Sequence, residues 1–235
     1  MLPLRDNIRS KTFPVVNTAI IVVCSLVFLW QWLVAPDQGL GWAFVPRALI
    51  SPGLIIAGGL PHAIITIVTS AFLHGSLPHV GINMLFLWVF GDNVEDRMGH
   101  GRYLLFYVTC AVAGSLAHAL LTGFADTPLM GASGAIAGVM GAYFVLFRLA
   151  QIRTLVIIIF FPIVFDLPAP IFLVYWFFLQ LFAGVGSIGI AHGTAFWAHV
   201  GGFAAGYFLV KRFAQPLRPP PTRLIRPHVV DMRID

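Results

Sequence analysis

Uncharged stretches about as long as a membrane is thick divide this chain into segments. A transmembrane helix needs about 20 consecutive, mostly apolar residues. Three uncharged stretches each fit one such helix: residues 12–36, 103–125 and 127–147. The apolar run 13–35 is too long for the core of a cleaved signal peptide, so we expect an uncleaved first span.

Two longer uncharged stretches are interrupted by glycine and proline. In the stretch 48–91, prolines and glycines between residues 52 and 61 break the first half, which predicts a long loop followed by one span near 77–91. In the stretch 167–210, the glycine-rich segment 184–193 separates two helices. The pattern therefore predicts an all-α polytopic membrane protein, a six-transmembrane-helix bundle with a long first outer loop.

One apolar run does not fit this scheme. Residues 154–165 are uncharged but too few to cross a bilayer as a helix. The sequence leaves two placements open for this run: in the membrane interface, or packed as a re-entrant segment.

Basic residues orient the bundle. All lysines and arginines except Arg47 fall in the two terminal segments or in loops on the same side, which the positive-inside rule assigns to the cytoplasm. We therefore expect a cytoplasmic N-terminus at 1–12, a six-helix membrane domain at 13–212, and a flexible, basic, Pro-rich cytoplasmic tail at 213–235. Short loops and a compact bundle favour a prokaryotic plasma (inner) membrane, with an organelle membrane left open.

Composition supports a membrane protein and argues against other classes. Hydrophobic residues make up 59% of the 235-residue chain and charged residues only 10%, whereas a soluble domain has roughly 25% charged residues. The formal net charge of +5 does not indicate nucleic-acid binding, because no cluster of lysine and arginine lies beside aromatic residues. Cys24 and Cys110 lie inside apolar runs, so neither a disulfide nor a metal framework is implied.

Several polar residues fall inside the predicted spans, where unpaired polar groups are costly. They are His79, Asn83, Ser133 and His199. They lie on the second, fourth and sixth helices, which all enter from the outer face, and each residue is within about the first two turns. At about 1.5 Å rise per residue, they would share one shallow depth. His79 and Asn83 are four residues apart and so project from one helix face.

Glycines would let the fourth and sixth helices approach closely. They recur at spacings of three or four residues, at positions 131, 134, 138 and 141 of one helix and 202 and 206 of the other. Such small-residue faces are typical of tightly packed membrane helices. Ser133 and His199 could then form the hydrogen bond that an activated serine requires.

Each polar residue also has a purely structural interpretation. Ser133 could be packing filler, His199 a satisfied histidine within the bundle, His79 an interfacial side chain, and Asn83 a hydrogen-bonding contact between helices. Their common depth favours a functional site. We interpret two further polar residues in the spans, His118 and Gln180, as structural.

No metal or cofactor is expected. The chain contains no H-E-x-x-H motif, and no carboxylate lies near the outer level of the second, fourth or sixth helix. Asp92 and Asp166 belong to the opposite side, so a serine enzyme built on these residues would use a dyad without an acid.

The motifs resemble, in order and spacing, the signature of the rhomboid protease family over roughly residues 13–212. As an ensemble the match is specific, whereas G-x-S-G alone would be weak. The matching residues are Phe72-Leu73-His74, His79-xxx-Asn83, Glu95-Asp96-Arg97-Met98-Gly99, Gly131-Ala132-Ser133-Gly134, Trp176-xxx-Gln180 and Ala198-His199-xx-Gly202-xxx-Gly206.

The resemblance implies a rhomboid-type bundle and an intramembrane serine endopeptidase. Ser133 matches the family nucleophile and His199 its general base. His79 and Asn83 match the side chains that form the oxyanion hole together with the Ser133 backbone N–H. The implied substrates are transmembrane proteins in the lipid bilayer. From the sequence as a whole we expect no nucleic-acid partner and no cofactor, and the oligomeric state is left open.

One departure from the family pattern concerns the base. Some members carry a tyrosine four residues after the nucleophile, where it stacks on the catalytic histidine, and here that position is Ala137. Phe196 and Trp197 are the aromatic residues that could orient His199 instead.

Two alternative functions remain open. A catalytically inactive rhomboid-like protein would bind membrane clients without cutting them, although such relatives usually lack the nucleophile or the base. A small transporter or channel would line a path with its polar residues, but no internal repeat is evident and the polar set does not cross the bilayer.

Overall fold

Helices dominate the computed structural model, which describes residues 1–34, 38–50, 59–187 and 195–216. A helix satisfies its own backbone hydrogen bonds, as a bilayer without water demands. The α-helices in the described residues are α1 (Val15–Leu33), α2 (Gly59–Thr69), α3 (Leu77–Met98), α4 (His100–Leu121), α5 (Ser133–Leu146), α6 (Ala169–Gly186) and α7 (Phe196–Phe213). Most of the predicted tail, most of the glycine-rich break and part of the first loop lie outside the described residues, at 217–235, 188–194 and 51–58.

The predicted helical membrane fold is confirmed. Each of the six predicted spans overlaps with a helix, namely α1 and α3 to α7. By length and apolar composition alone, three helices in the described residues could cross a bilayer: α1, α4 and α6. The pair Leu60–Phe72 and Leu77–Met98 is a fourth candidate with an 80° bend between its halves. Within the first outer loop, which the sequence predicted only as a loop, α2 is a further helix.

The start of α5 lies deeper in the bundle than the uncharged stretch 127–147 predicted. α5 begins only at Ser133, because Leu129 pairs with Phe44 in a β-bridge and the Gly131 N–H donates to the Ser70 carbonyl at 2.8 Å. The 14 residues of α5 span about 21 Å, against about 30 Å for the hydrocarbon core of a bilayer. If α5 ends at one membrane boundary, its first residue therefore lies roughly 9 Å inside the opposite boundary.

α5 and α7 pack with almost no side chain between their backbones. A Cβ added to Gly202 would overlap the carbonyl oxygen of Gly134, and a Cβ added to Gly206 would overlap that of Gly138. α4 approaches α7 in the same way, since a Cβ on Gly114 would lie 2.7 Å from the Ala198 carbonyl oxygen. The close approach predicted from the glycine spacing is confirmed.

Residues 151–168 form a β-hairpin, which the sequence did not predict. β2 (Gln151–Ile158) pairs antiparallel with β3 (Phe161–Pro168), and β1 (Leu2–Asp6) pairs with the other side of β2. The apolar run 154–165 gave no strand signal because apolar residues on both faces hide the alternation that marks a strand. The N-terminal segment, predicted only as a cytoplasmic extension, supplies β1.

The base of the hairpin carries a charged pair outside the helices. Arg153 donates two hydrogen bonds to the Asp166 carboxylate, at 3.0 and 3.2 Å, and these bonds hold the pKa of Asp166 below its ordinary value. Ile152, next to this pair, is fully buried in the main hydrophobic core. The sheet is therefore fixed to the bundle at the end of α5 opposite Ser133; we call this the sheet end and the other the serine end.

A buried carboxylate joins α1 to the sheet end of α3. Both oxygens of the fully buried Glu95 accept backbone N–H groups in the first turn of α1, from Val16 at 3.0 Å and Asn17 at 2.7 Å. These N–H groups have no acceptor within their own helix. The Asn17 side chain in turn accepts a hydrogen bond from the Tyr103 hydroxyl at 2.7 Å, so the network joins α1, α3 and α4.

We predict that Glu95→Ala lowers the free energy of unfolding by about 2–3 kcal/mol, because it leaves buried N–H groups without their charged acceptor. The adjacent Asp96→Ala is the matched control. It removes only the exposed hydrogen bonds from Thr12, and we expect a change of about 0.5 kcal/mol or less. Reversible unfolding in mixed micelles measures both, and equal effects would contradict a capping role for Glu95.

Candidate active site

Ser133 is the first residue of α5. Its backbone N–H therefore has no acceptor within the helix and lies at the positive end of the helix dipole. Two residues earlier, Gly131 has a φ of +130°, a backbone conformation that favours glycine. A Cβ at Gly131 would lie 2.8 Å from the ring of His79, so glycine lets the chain pass directly beside His79 just before it reaches Ser133.

His199 contacts Ser133 across the glycine interface. It lies in the first turn of α7, with only 8% of its surface exposed. Its Nε2 atom is 2.7 Å from the Ser133 hydroxyl oxygen. Because Gly134 follows Ser133 directly and Gly202 lies three residues after His199, the backbone contact of the two helices is immediately adjacent to this hydrogen bond.

Gln180 of α6 holds the second ring nitrogen of His199. The Gln180 side-chain oxygen lies 2.7 Å from His199 Nδ1. With the Gln180 amide in this orientation its carbonyl oxygen accepts, which assigns the ring proton to Nδ1 and leaves Nε2 to accept the Ser133 hydroxyl proton. The sequence interpretation of Gln180 as purely structural missed this contact. The spacing Trp176-xxx-Gln180 placed both residues on one helix face, but spacing does not say which neighbour a face meets.

Two aromatic rings flank His199. Trp176 lies over it, with ring centroids 5.8 Å apart and planes 36° from parallel, and Phe196 meets it edge-on at 6.5 Å. Phe196 was one of the two rings that the sequence offered as a replacement for a stacking tyrosine. The other, Trp197, packs instead against Gly184, where a Cβ added to the glycine would lie 3.2 Å from the indole ring. Ala137, at the tyrosine position, is fully buried.

α3 brings two further polar side chains to the serine end. Ser76 caps this helix by accepting the His79 backbone N–H at 3.3 Å, which fixes His79 in the first turn and Asn83 one turn later. The His79 ring meets that of the buried His74 edge-on at 5.2 Å. The Asn83 side-chain nitrogen is buried and has no hydrogen-bond partner among the described residues, so it remains available as a donor.

One cavity of about 750 Å³ at the serine end collects these side chains. The lining includes every site residue proposed from the sequence, and Trp176 and Gln180 of α6 in addition: His79, Asn83, Ser133, Trp176, Gln180 and His199. His118, interpreted as structural, is not among the lining residues. The arrangement places a hydroxyl, a neutral base and unpaired N–H donors around one space, which is what acyl transfer to a serine requires.

Comparison with known proteins gives one family. Residues 61–215, more than half of the chain, match the family model described as the Rhomboid domain. Rhomboid protein 1, mitochondrial, of Saccharomyces cerevisiae is 38% identical over 37% of this chain and 27% of its own length. Rhomboid protease GluP of Bacillus subtilis is 41% identical over 32% of this chain and 14% of its own length. Rhomboid protease GlpG of Serratia proteamaculans is 27% identical over 58% of this chain and 44% of its own length, so the matched segments span less than half of each relative.

We predict that Gln180→Met disturbs the tautomer of His199, because methionine fills the same space without a strong acceptor for the Nδ1 proton. In ¹⁵N spectra of histidine-labelled protein, assigned by comparison with His199→Ala, the signal of a protonated Nδ1 should give way to a mixture of tautomers. Gln180→Glu keeps an acceptor oxygen and should retain the Nδ1 proton. An unchanged spectrum in Gln180→Met would show that other contacts select the tautomer.

Proposed function

The chain belongs to the rhomboid family, and we propose that it is an intramembrane serine endopeptidase that cuts peptide bonds in or near the transmembrane segments of other membrane proteins. The observation that carries the proposal is the 2.7 Å hydrogen bond between Ser133 and His199 Nε2, with Nδ1 held by Gln180. A serine hydroxyl is a weak nucleophile until a base takes its proton. This contact supplies the base in the required tautomer.

The proposed reaction begins with proton transfer from the Ser133 hydroxyl to His199 Nε2, while the serine oxygen bonds to the scissile carbonyl carbon. The carbonyl π electrons move onto oxygen and form the tetrahedral oxyanion. Gln180 accepts the Nδ1–H throughout, so the imidazolium keeps its orientation. The intermediate collapses, the C–N bond breaks, and the leaving nitrogen takes the proton from His199. Water, deprotonated by His199, then attacks the acyl-enzyme and releases the acid and free Ser133.

The oxyanion would lie against N–H donors from two helices. Ser133 offers a backbone N–H at the α5 N-terminus, and α3 offers the side chains of His79 and Asn83. Donors fixed in place before the reaction favour the transition state because they need no reorganisation when charge develops. The buried, unpaired Asn83 nitrogen supports this role, since an unused buried donor is costly in a resting protein.

The proposed substrates are transmembrane proteins, which reach the site within the bilayer. A peptide bond inside a helix is shielded by its neighbours, so cleavage needs a segment that unwinds locally at the serine end. The position of Ser133 supports this picture, because water for deacylation can still reach a site roughly 9 Å below the membrane boundary.

We expect Ser133→Ala and His199→Ala each to lower cleavage of a model transmembrane substrate by roughly 10⁴-fold or more. Both should also abolish covalent labelling by a fluorophosphonate probe in purified protein. Ser115→Ala and His118→Ala are matched controls on α4, outside the cavity lining, and should label and cleave normally. A folded wild type that neither labels nor cleaves would favour the inactive, client-binding alternative.

We expect Asn83→Ala to reduce kcat by about 10²–10³-fold with little change in KM, because the donor acts on charge that develops only in the transition state. The control is Asn93→Ala, a buried asparagine on the same helix that donates to Asp6 at the sheet end. It should reduce stability and leave kcat nearly unchanged. Similar kcat values for the two variants would contradict the oxyanion role.

A further inference from the structure

The tip of the β2–β3 hairpin exposes large apolar side chains. The residues from Ile157 to Phe161, which we call the hairpin tip, are between 53% and 87% exposed. β2 is buried only near its base, at Ile152 and Thr154, and all of β3 up to Asp166 is exposed. At about 3.3 Å per residue, the tip extends roughly 20 Å beyond Thr154.

Both faces of this hairpin are apolar. Residues 155–165 contain no charged and no polar side chain. A strand that covers a protein surface with one face and meets water with the other alternates apolar and polar residues. Without that alternation, the surroundings of the hairpin must be apolar on both sides, which a protein partner bound to one face would not provide.

The turn at the tip is also apolar. Ile159 and Phe160 connect β2 to β3, and Ile159 has a φ of +59°. Two-residue hairpin turns strongly favour asparagine and glycine at such positions, and a β-branched residue adopts positive φ rarely. The sequence therefore keeps a large apolar side chain where the backbone alone would select a small or polar one.

The position of the hairpin in the fold identifies the nearest apolar phase. β2 follows the sheet end of α5, and β3 leads directly into α6 at Ala169. α6 is a candidate membrane span, and its large apolar side chains Ile171, Phe178 and Phe182 are exposed on the surface of the protein. Along the chain, the exposed apolar residues of the hairpin thus lead directly into the exposed apolar side chains of a candidate membrane span.

The backbone of the hairpin limits how deeply it can enter the bilayer. β3 is an edge strand, and β1 pairs only with residues 152–155 of β2, so both edges near the tip carry unpaired N–H and C=O groups among the described residues. Open edges of this kind do not occur in lipid-exposed hydrocarbon. They can be satisfied by water and headgroups at the membrane interface.

We propose that the hairpin tip inserts into the headgroup–acyl boundary of the phospholipid leaflet at the sheet end, as an interfacial anchor beside α6. The charged Arg153–Asp166 pair lies at the hairpin base, on the aqueous side of the inserted tip. The inference does not rest on proteolytic activity and holds equally for an inactive protein.

The anchor is tested with the Phe160→Cys variant of the 235-residue protein. Its new cysteine carries a nitroxide label, and the protein is reconstituted into phosphatidylcholine–phosphatidylglycerol vesicles. The native cysteines, Cys24 and Cys110, are buried, and protein without the added cysteine measures their background labelling. Gln151→Cys at the hairpin base is the matched control. The measured quantity is the ratio of the label's collision rate with oxygen to its collision rate with a water-soluble nickel chelate. We expect this ratio to be severalfold higher at position 160 than at position 151.

Two results would overturn the anchor. Nickel access at 160 equal to that at 151 would place the tip in water. If position 160 is protected from both reagents, and spin–spin broadening disappears when unlabelled protein is added, then a second copy of the chain covers the hairpin tip.

As a second test, Ile159→Asp with Phe161→Asp should raise nickel access at 160 to the level at 151 without lowering the unfolding midpoint. An unchanged ratio in that variant would also refute insertion.

Discussion

The backbone contact between α5 and α7 is the interaction on which the candidate site depends. Lipid is as apolar as the helix side chains, so helices in a bilayer associate through close packing and not through the hydrophobic effect. Gly134 and Gly138 of α5 face Gly202 and Gly206 of α7 at a separation that leaves no room for a Cβ. Ser133 directly precedes this contact, and a bulkier side chain within it would move the serine away from His199.

The two ends of the bundle treat polar groups differently. At the sheet end, Glu95, Asn17 and Tyr103 are paired with one another, with His100 or with backbone groups, which gives a network that joins helices. At the serine end, the buried Asn83 side-chain nitrogen has no hydrogen-bond partner in the part of the chain that the structure describes, and His199 is fixed through both ring nitrogens. Paired groups stabilise the fold. An unpaired buried donor destabilises it, and this cost is offset when the donor hydrogen-bonds to a negative charge that develops in the transition state.

The position of Ser133 within the bundle is set by elements that carry none of the proposed chemistry. The β-bridge between Phe44 and Leu129 holds the segment before α5 in an extended conformation, so the helix begins only at Ser133. The loop between α1 and α3 thus fixes how deep in the bundle Ser133 lies and, in our proposal, how water reaches it. At the opposite end, the hairpin extends the apolar surface of α6 and, in our proposal, anchors that helix to the membrane interface.

The sequence alone determined the helical membrane fold, because uncharged length and glycine spacing are local properties that the bilayer selects directly. It also singled out His79, Asn83, Ser133 and His199, since polar residues in a predicted span are conspicuous.

The sequence did not reveal the hairpin, whose two apolar faces give no periodic signal, nor the late start of α5, which depends on a distant bridge to Phe44. Only the tertiary structure decided that Gln180 and Trp176 meet His199, because contact between α6 and α7 depends on how helices rotate against each other, and spacing along one helix carries no information about its neighbour.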